Sequence, residues 1–260
     1  MECGMLAIDQ SIFGSDDNFI VLVRDDATGQ TAAIDAVDGH AIAERLRQLG
    51  WGLDLILVTH HHRDHTAGIA MLKGEFGATV VAPAAEAGRI PAVDRGVHEG
   101  DTVNVGRAIF EVIATPGHTA GHVAYWSAEE KVAFVGDTLF SLGCGRVFET
   151  PLETMWTSLL KLRALPRDTA VYCGHDYTAA NGRFALTLEP SNLDLEARMA
   201  EVARLRADGR PTLPTTIGAE QATNPFFRAD KPRLRRAIGM AGGDPAAVFA
   251  EIRRRKDSFS

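Results

Sequence analysis

The sequence predicts an α/β main domain followed by a helical C-terminal segment. Short apolar runs alternate with helix-period patterns over the first two-thirds of its 260 residues. Beyond about residue 178 the pattern turns helical and no strand is apparent. Histidine and aspartate recur directly after the apolar runs, where the loops of an α/β scaffold gather a site from distant parts of a chain.

Taken in order, Phe19–Val23 and Thr31–Ile34 flank the polar stretch Asp25–Gly29 and read as a hairpin. Gly39–Leu49 carries Ile42, Leu46 and Leu49 at helical spacing, with Gly50 placed to stop the helix. Leu53–Val58 is a strand buried on at least one face. Gly68–Gly77 reads as a second helix and Thr79–Ala82 as a further strand. At Thr150-Pro-Leu-Glu153 the pattern of a capping box appears, with Thr150 as cap and Pro151 at the first helical position. Met155, Leu159, Leu162 and Leu165 continue one apolar face to Pro166. Leu195, Met199 and Val202 stack on another helix, which Gly209 and Pro211 terminate. Asp244-Pro245 opens a last helix with Val248 and Ile252 on its apolar side.

Composition narrows the function classes. Apolar residues make up 45% and charged residues 23%, as in a soluble protein with a sizeable core. Lys and Arg number 27 against 34 Asp and Glu, a net charge of −7 that disfavours nucleic acid and anionic membrane. No apolar run approaches the roughly 18 residues of a membrane helix. The opening MECGMLAIDQ has an acidic residue where a signal peptide has a basic one, so the expected location is the cytoplasm. Cys3, Cys144 and Cys173 are too few and scattered for a disulfide framework. From Arg228 to Asp257, nine Lys and Arg face four Asp and Glu, which taken alone reads as a solvated face with cations at a helix C-terminus.

The chemistry concentrates in Thr59-His60-His61-His62-Arg63-Asp64-His65, directly after Val58. If the backbone stays extended for two residues, His60 and His62 point to the same side. His61 then faces away, and Asp64 and His65 sit on the turn into the next helix. Three more strand-end loops follow: Thr115-Pro-Gly-His118 after Phe110–Ala114, Gly136-Asp137 after Val132–Val135, and Gly174-His175 after Ala170–Cys173. Imidazole and carboxylate together suit zinc, iron or manganese. Seven donors (His60, His62, Asp64, His65, His118, Asp137 and His175) exceed the needs of one catalytic metal and match two sharing a carboxylate. His40, His61, His98 and His122 are left as structural or surface residues. Cys173 reads as a buried strand-end cysteine, not a nucleophile.

In type and order, these residues resemble the metallo-β-lactamase superfamily, whose fold is an αββα sandwich. That resemblance spans roughly residues 1–178, the implied catalytic domain. Gly136-Asp137-Thr-Leu-Phe140, Gly143-Cys-Gly145-Arg146, Phe148-Glu149, Gly174-His175-Asp-Tyr177-Thr178 and Asn181 are similar to the glyoxalase II (hydroxyacylglutathione hydrolase) family. So are Pro211–Thr216, Asn224-Pro-Phe226 and Arg253-x-x-Lys256-Asp-x-Phe259. These extend the resemblance through a helical, glutathione-binding domain at 179–260.

The resemblance implies that His60, His62 and His118 hold one divalent metal and Asp64, His65 and His175 the other, with Asp137 bridging. Zinc is the first expectation, with iron and manganese compatible. The implied reaction hydrolyses an S-(2-hydroxyacyl)glutathione, such as S-D-lactoylglutathione, to glutathione and a 2-hydroxy acid, as in methylglyoxal detoxification. Asp64 and Asp137 serve a metal-bound hydroxide, and the thiolate leaves without a dedicated general acid. Arg146, Tyr177, Arg253 and Lys256 bind the glutathione part, whose two carboxylates call for cations. Arg253 and Lys256, three apart, share a helix face, which moves these two from a solvated charge run to ligand anchors. Arg146 stands where other members have lysine, and Phe148 where others have tyrosine. A persulfide dioxygenase or another hydrolase of the superfamily is the alternative. The expected protein is a monomer that engages neither nucleic acid nor membrane.

Overall fold

The computed structural model describes residues 6–14 and 17–259. Cys3 and the rest of residues 1–5 of the opening segment lie outside the described residues. The chain forms two compact units, Met1–Ala114 with Gly121–Gly136, and Thr115–Ala120 with Asp137–Ser260.

The first unit contains β1 (Leu6–Phe13), β2 (Asn18–Asp25), β3 (Thr31–Ile34), α1 (Gly39–Leu49), β4 (Leu55–Leu57), α2 (Arg63–Thr66), α3 (Ile69–Phe76) and β5 (Thr79–Pro83). It continues through β6 (Arg95–Val97), β7 (Thr102–Val105), β8 (Ala108–Ala114), β9 (Val123–Ser127) and β10 (Val132–Phe134). β1 to β6 form one sheet in chain order. β1, β2 and β3 pair antiparallel, and β3 to β6 are parallel. The hairpin expected at 19–34 is the β2–β3 pair, with Val21 opposite Ile34. A second, antiparallel arrangement runs β10-β9-β8-β7.

Parallel strands require cover on both faces. Ile20, Leu22, Ile56, Val58, Val80 and Ala82 meet Ile42 and Leu46 of α1 and Ile69 and Leu72 of α3 in one core. The alternate residues Val21, Val23, Leu57 and Val81 are buried too. Two contacts tie the sheets together. The Tyr125 hydroxyl on β9 donates to the Val58 carbonyl at 2.8 Å. The Asp25 carboxylate ending β2 accepts from the Arg107 main-chain N–H at 2.9 Å and from its guanidinium. Arg107 holds the Asp25 carboxyl well below the usual carboxylate range. α1 is capped as its sequence requires: Asp38 accepts from Ala41 N, and Gly50 takes φ 68°.

The second unit contains β11 (Leu139–Phe140), β12 (Gly143–Cys144), α4 (Leu152–Arg163), β13 (Ala170–Tyr172), α5 (Thr178–Leu188), α6 (Leu193–Ala207), β14 (Thr215–Thr216), α7 (Ile217–Thr223), α8 (Pro232–Ala237) and α9 (Pro245–Asp257). Its helical part packs Phe226, Phe249 and Trp156 ring against ring. Asp244 caps α9 through Ala246 N and Ala247 N, as Asp-Pro predicts.

Three local expectations are corrected. α4 begins at Leu152, with Pro151 at the cap position and no side-chain cap. The Thr150 hydroxyl instead donates to the Gly117 carbonyl at 3.3 Å, a long-range bond that the local pattern does not contain. The strand read at 53–58 narrows to Leu55–Leu57, because Asp54 turns its carboxylate to the Thr31 N–H. β14, a two-residue strand antiparallel to β13, lies where no strand was expected, being too short to show a period. Among the described residues no helix is long and apolar enough to cross a membrane.

Glu220 on α7 is the polar knot of the second unit. Fully buried, it accepts from Leu142 N (2.8 Å), the Thr215 hydroxyl (2.7 Å) and Asn224 Nδ2 (2.9 Å). Burial outweighs these bonds and raises its pKa. A carboxyl whose folded pKa lies above its unfolded value binds its proton more tightly when folded. Stability therefore falls as pH rises from the ordinary glutamate range through the raised value. Glu220→Gln cannot ionise, so its stability relative to the wild type is expected to improve across that window. Urea unfolding at a series of pH values measures it, and a difference independent of pH would refute the effect of burial.

Candidate metal centre

The predicted donors lie on loops at strand ends, except Asp64 and His65 in the short helix α2, and each unit organises its own set. In the first unit, β3 ends at Ile34 and Asp35 follows with φ 60°, a left-handed conformation that few non-glycine residues adopt. The turn aims its carboxylate at the loop after β4. Oδ1 accepts from Thr59 N at 2.7 Å, and Oδ2 accepts from the Thr59 hydroxyl at 2.9 Å. His65 Nδ1 lies 2.8 Å from the same Oδ2. Main-chain bonds from Ala36 N to His65 O and from Gly68 N to Ala36 O, both 2.8 Å, fasten α2 beside it.

These bonds assign tautomers. His65 Nδ1–H donates to Asp35, which leaves Nε2 as the basic nitrogen, 3.7 Å from Asp64 Oδ2. The Thr59 hydroxyl spends its proton on Asp35, so at 3.0 Å it accepts from His60 Nδ1–H. His60 Nε2 then carries the lone pair, and it faces His62 Nδ1 at 3.1 Å. The expectation that His60 and His62 share a side thus holds in the geometry. The ring centroids of His62, His65 and His122 lie 4.7, 4.2 and 4.8 Å from that of His60. Gly136 closes this packing: a Cβ there would stand 2.5 Å from Thr59 Oγ1 and 2.7 Å from His122 Nε2.

In the second unit, His118 sits on a loop held by Ser158 Oγ, which donates to Pro116 O at 2.6 Å. His118 Nδ1–H donates to the Arg146 carbonyl at 2.8 Å, leaving Nε2 3.5 Å from Asp137 Oδ2. His175 Nε2 lies 3.4 Å from the same oxygen. One carboxylate oxygen therefore stands between two imidazoles. Gly145 permits this, since a Cβ would fall 2.0 Å from the Asp137 carbonyl oxygen. Neighbouring Cys173 is buried, its thiol donates to His175 O, and burial pushes its pKa far up, so it is no nucleophile at neutral pH.

The donor chemistry fits a divalent cation. Neutral imidazoles with a backbone or carboxylate partner on one nitrogen and a lone pair on the other are the usual ligand state, with carboxylates supplying charge. His40 and His98 are exposed, as expected. His122, left as a structural or surface residue, stacks on His60, and the His61 ring turns to Glu86 at 2.8 Å. Asp35, Thr59 and Glu86 were not singled out from sequence. Asp35 was within reach, because it follows an apolar run as the other donors do.

Of the substrate-binding candidates, three cluster in the second unit. Asp257 Oδ1 accepts from Arg253 Nε and Nη2 and lies 3.9 Å from Arg146 Nε. Burial, then Arg253 and Arg146, lowers the Lys256 pKa, and its ammonium rests on Phe184 and Phe259. Arg146 is exposed. Arg253 is buried: its Nη1 donates to the Cys144 carbonyl at 2.9 Å and its guanidinium lies on Phe226. Tyr177 stacks parallel on His175, with centroids 4.8 Å apart. Phe148 is exposed and stands edge-on to His118.

Comparison with known proteins bears on the family and the fold. The sequence model of the metallo-beta-lactamase superfamily matches residues 16–175, and that of the hydroxyacylglutathione hydrolase C-terminus matches 176–259. A hydroxyacylglutathione hydrolase from Chelativorans sp. (strain BNC1) is 51% identical over 98% of this chain and 99% of its own. One from Brucella anthropi is 53% identical over 98% of this chain and 97% of its own. The crystal structure of ETHE1 from Myxococcus xanthus superposes with a TM-score of 0.66 at 26% identity, covering 98% of this chain and all of that one. A metallo-beta-lactamase from Staphylococcus aureus shares the fold at 18% identity, with a TM-score of 0.67 over 98% of this chain and 72% of its own.

Asp35→Asn tests the tautomer network. The amide places an N–H₂ where an acceptor is needed, so affinity for divalent metal should fall by about 10- to 100-fold. Competition of the apoprotein with a chromophoric chelator measures it; unchanged affinity would refute the orienting role of Asp35.

Proposed function

The chain belongs to the hydroxyacylglutathione hydrolase family of the metallo-β-lactamase superfamily, and from that membership we propose how its residues divide the work of hydrolysing an S-(2-hydroxyacyl)glutathione. The observation that carries the reading is the pair of half-sets just described. His60 Nε2 faces His62 Nδ1 and His65 Nε2 faces Asp64 Oδ2, while the Nε2 atoms of His118 and His175 converge on Asp137 Oδ2.

In this reading His60, His62 and His118 hold one divalent ion, Asp64, His65 and His175 the other, and Asp137 both. Zinc is proposed, with iron or manganese as ions that the same donors accept. When bound, such ions lower the pKa of water towards neutrality and stabilise the charge that develops on a thioester carbonyl. The chain supplies everything else. Asp35 and the Arg146 carbonyl keep the imidazole protons away from the ligand nitrogens. Asp137, between two imidazoles, would supply negative charge to the bound cations. Cys173, held as a thiol, does not compete with substrate sulfur.

Glutathione recognition falls to the second unit. Arg146 and Lys256 present cations to the carboxylates of the tripeptide, and Tyr177, stacked on His175, contributes to holding the glutathione part. Arg253, the further proposed anchor, has donors engaged by Asp257 and Cys144 O, and through these bonds it also holds the end of α9 in place for Lys256. The leaving glutathione thiolate is stable enough to depart without a general acid. The proposed division is a catalytic domain at 1–178, which also supplies Arg146 and Tyr177, and a glutathione-binding domain at 179–260, in a cytoplasmic monomer without nucleic-acid or membrane partners. The C-terminal family match favours thioester hydrolysis over the persulfide dioxygenase alternative.

Metal analysis joined to loss of thioester absorbance from S-D-lactoylglutathione tests the assignment. Full metal content without turnover would overturn the substrate and leave the fold standing. Asp137→Ala should lose at least about 100-fold in kcat/KM, together with part of the metal. Full metal and full activity in that variant would overturn the bridging role. Lys256→Ala should raise KM by about tenfold, the scale of one charged hydrogen bond, with kcat little changed.

A further inference from the structure

We propose that Glu86 is a positioning residue that selects which of the three consecutive histidines His60, His61 and His62 face the metal. The inference rests on the metal reading above. β4 ends at Leu57, so no strand ladder reaches the histidine run to impose alternation on it. The constraint comes from the side. Glu86 closes a single 3₁₀ turn, Ala84–Glu86, after β5, and is only 3% exposed. Its Oε2 lies 2.7 Å from His61 N and 2.8 Å from His61 Nδ1, and both nitrogens donate to it. Its Oε1 accepts from Gly121 N at 2.9 Å.

One carboxylate thus grips the middle histidine by backbone and ring together, and its other oxygen grips the loop leading to His122. His60 lies between these loops, with His62 at 3.1 Å on one side and the His122 ring stacked at 4.8 Å on the other. Gly121 is required for the approach: a Cβ there would stand 2.6 Å from Glu86 Cγ and 2.9 Å from Ala85 Cβ. With the carboxylate removed, the His61 imidazole becomes a third donor of the same type and reach, one residue from each ligand. Nothing in its chemistry distinguishes it from His60 or His62. The bond to Glu86 does.

The test uses full-length apoprotein and Co(II) alone as probe, read by its visible absorption and by chelator competition. Glu86→Ala is expected to weaken one Co(II) equivalent by about 10- to 100-fold and to change the absorption bands. In Glu86→Ala combined with His61→Ala, the bands should return to the wild-type form, because the competing imidazole is gone. If Glu86→Ala fails to fold, the near-isosteric Glu86→Gln, which keeps one acceptor oxygen, is read the same way. Wild-type bands and affinity in the Glu86 variants would overturn the proposal. So would altered bands that persist in the double variant, since Glu86 would then brace the backbone without selecting among histidines. A wild type that takes up no Co(II) would overturn the metal reading itself, a distinguishable failure.

Discussion

The Asp35 carboxylate is the constraint on which the first half of the site depends. It is buried, it accepts from Thr59 N and Oγ1, and it takes the proton of His65 Nδ1. Through the Thr59 hydroxyl its influence extends to His60, whose Nδ1–H finds its acceptor only because that hydroxyl has already given its proton away. Two imidazoles are thereby set in one tautomer by a single anion. The network follows from elementary accounting of donors and acceptors, in which each buried hydroxyl donates once and each neutral imidazole once. Asp35 can perform this task because β3 and β4 are adjacent and parallel, which brings its turn beside the loop after β4.

Around that centre the two units solve the same problem by different means. The first orients its histidines with a carboxylate, the second with the carbonyl of Arg146. In both, glycine allows the close approach: Gly136 beneath Thr59 and His122, Gly145 beneath Asp137. Arg146 consequently has two separable parts in one residue. Its backbone serves a candidate metal ligand, and its side chain reaches Asp257 in the cationic cluster. Replacing the side chain should therefore leave the His118 tautomer intact.

The seven donor candidates were legible because residue type and strand-end position both carry chemistry; five of them lie in strand-end loops, and Asp64 and His65 lie in the short helix α2 that follows the β4 loop. Helices with local caps, such as α1 and α9, were legible for the same reason. What escaped was long-range. The partners of Asp35 lie 24 and 30 residues away, and those of Glu86 25 and 35. Thr150 had the local pattern of a cap yet bonded across 33 residues to Gly117. Helical spacing put Arg253 and Lys256 on one face, but spacing is silent about depth. One of the two is buried and bonded, while the other lies across two phenylalanines. Strands of two or three residues, such as β6, β11 and β14, are too short to carry any period.

The backbone at Asp35 has a consequence for engineering. Its φ of 60° costs a non-glycine residue on the order of 1 kcal/mol, and glycine would relieve that strain. A library screened for thermal resistance alone would sample glycine at this position as a way to relax the turn. The same exchange would remove the anion that sets the tautomers of His60 and His65. Selection for rigidity and selection for turnover pull in opposite directions at this residue, and a screen that ignores catalysis would erase the centre without disturbing the fold.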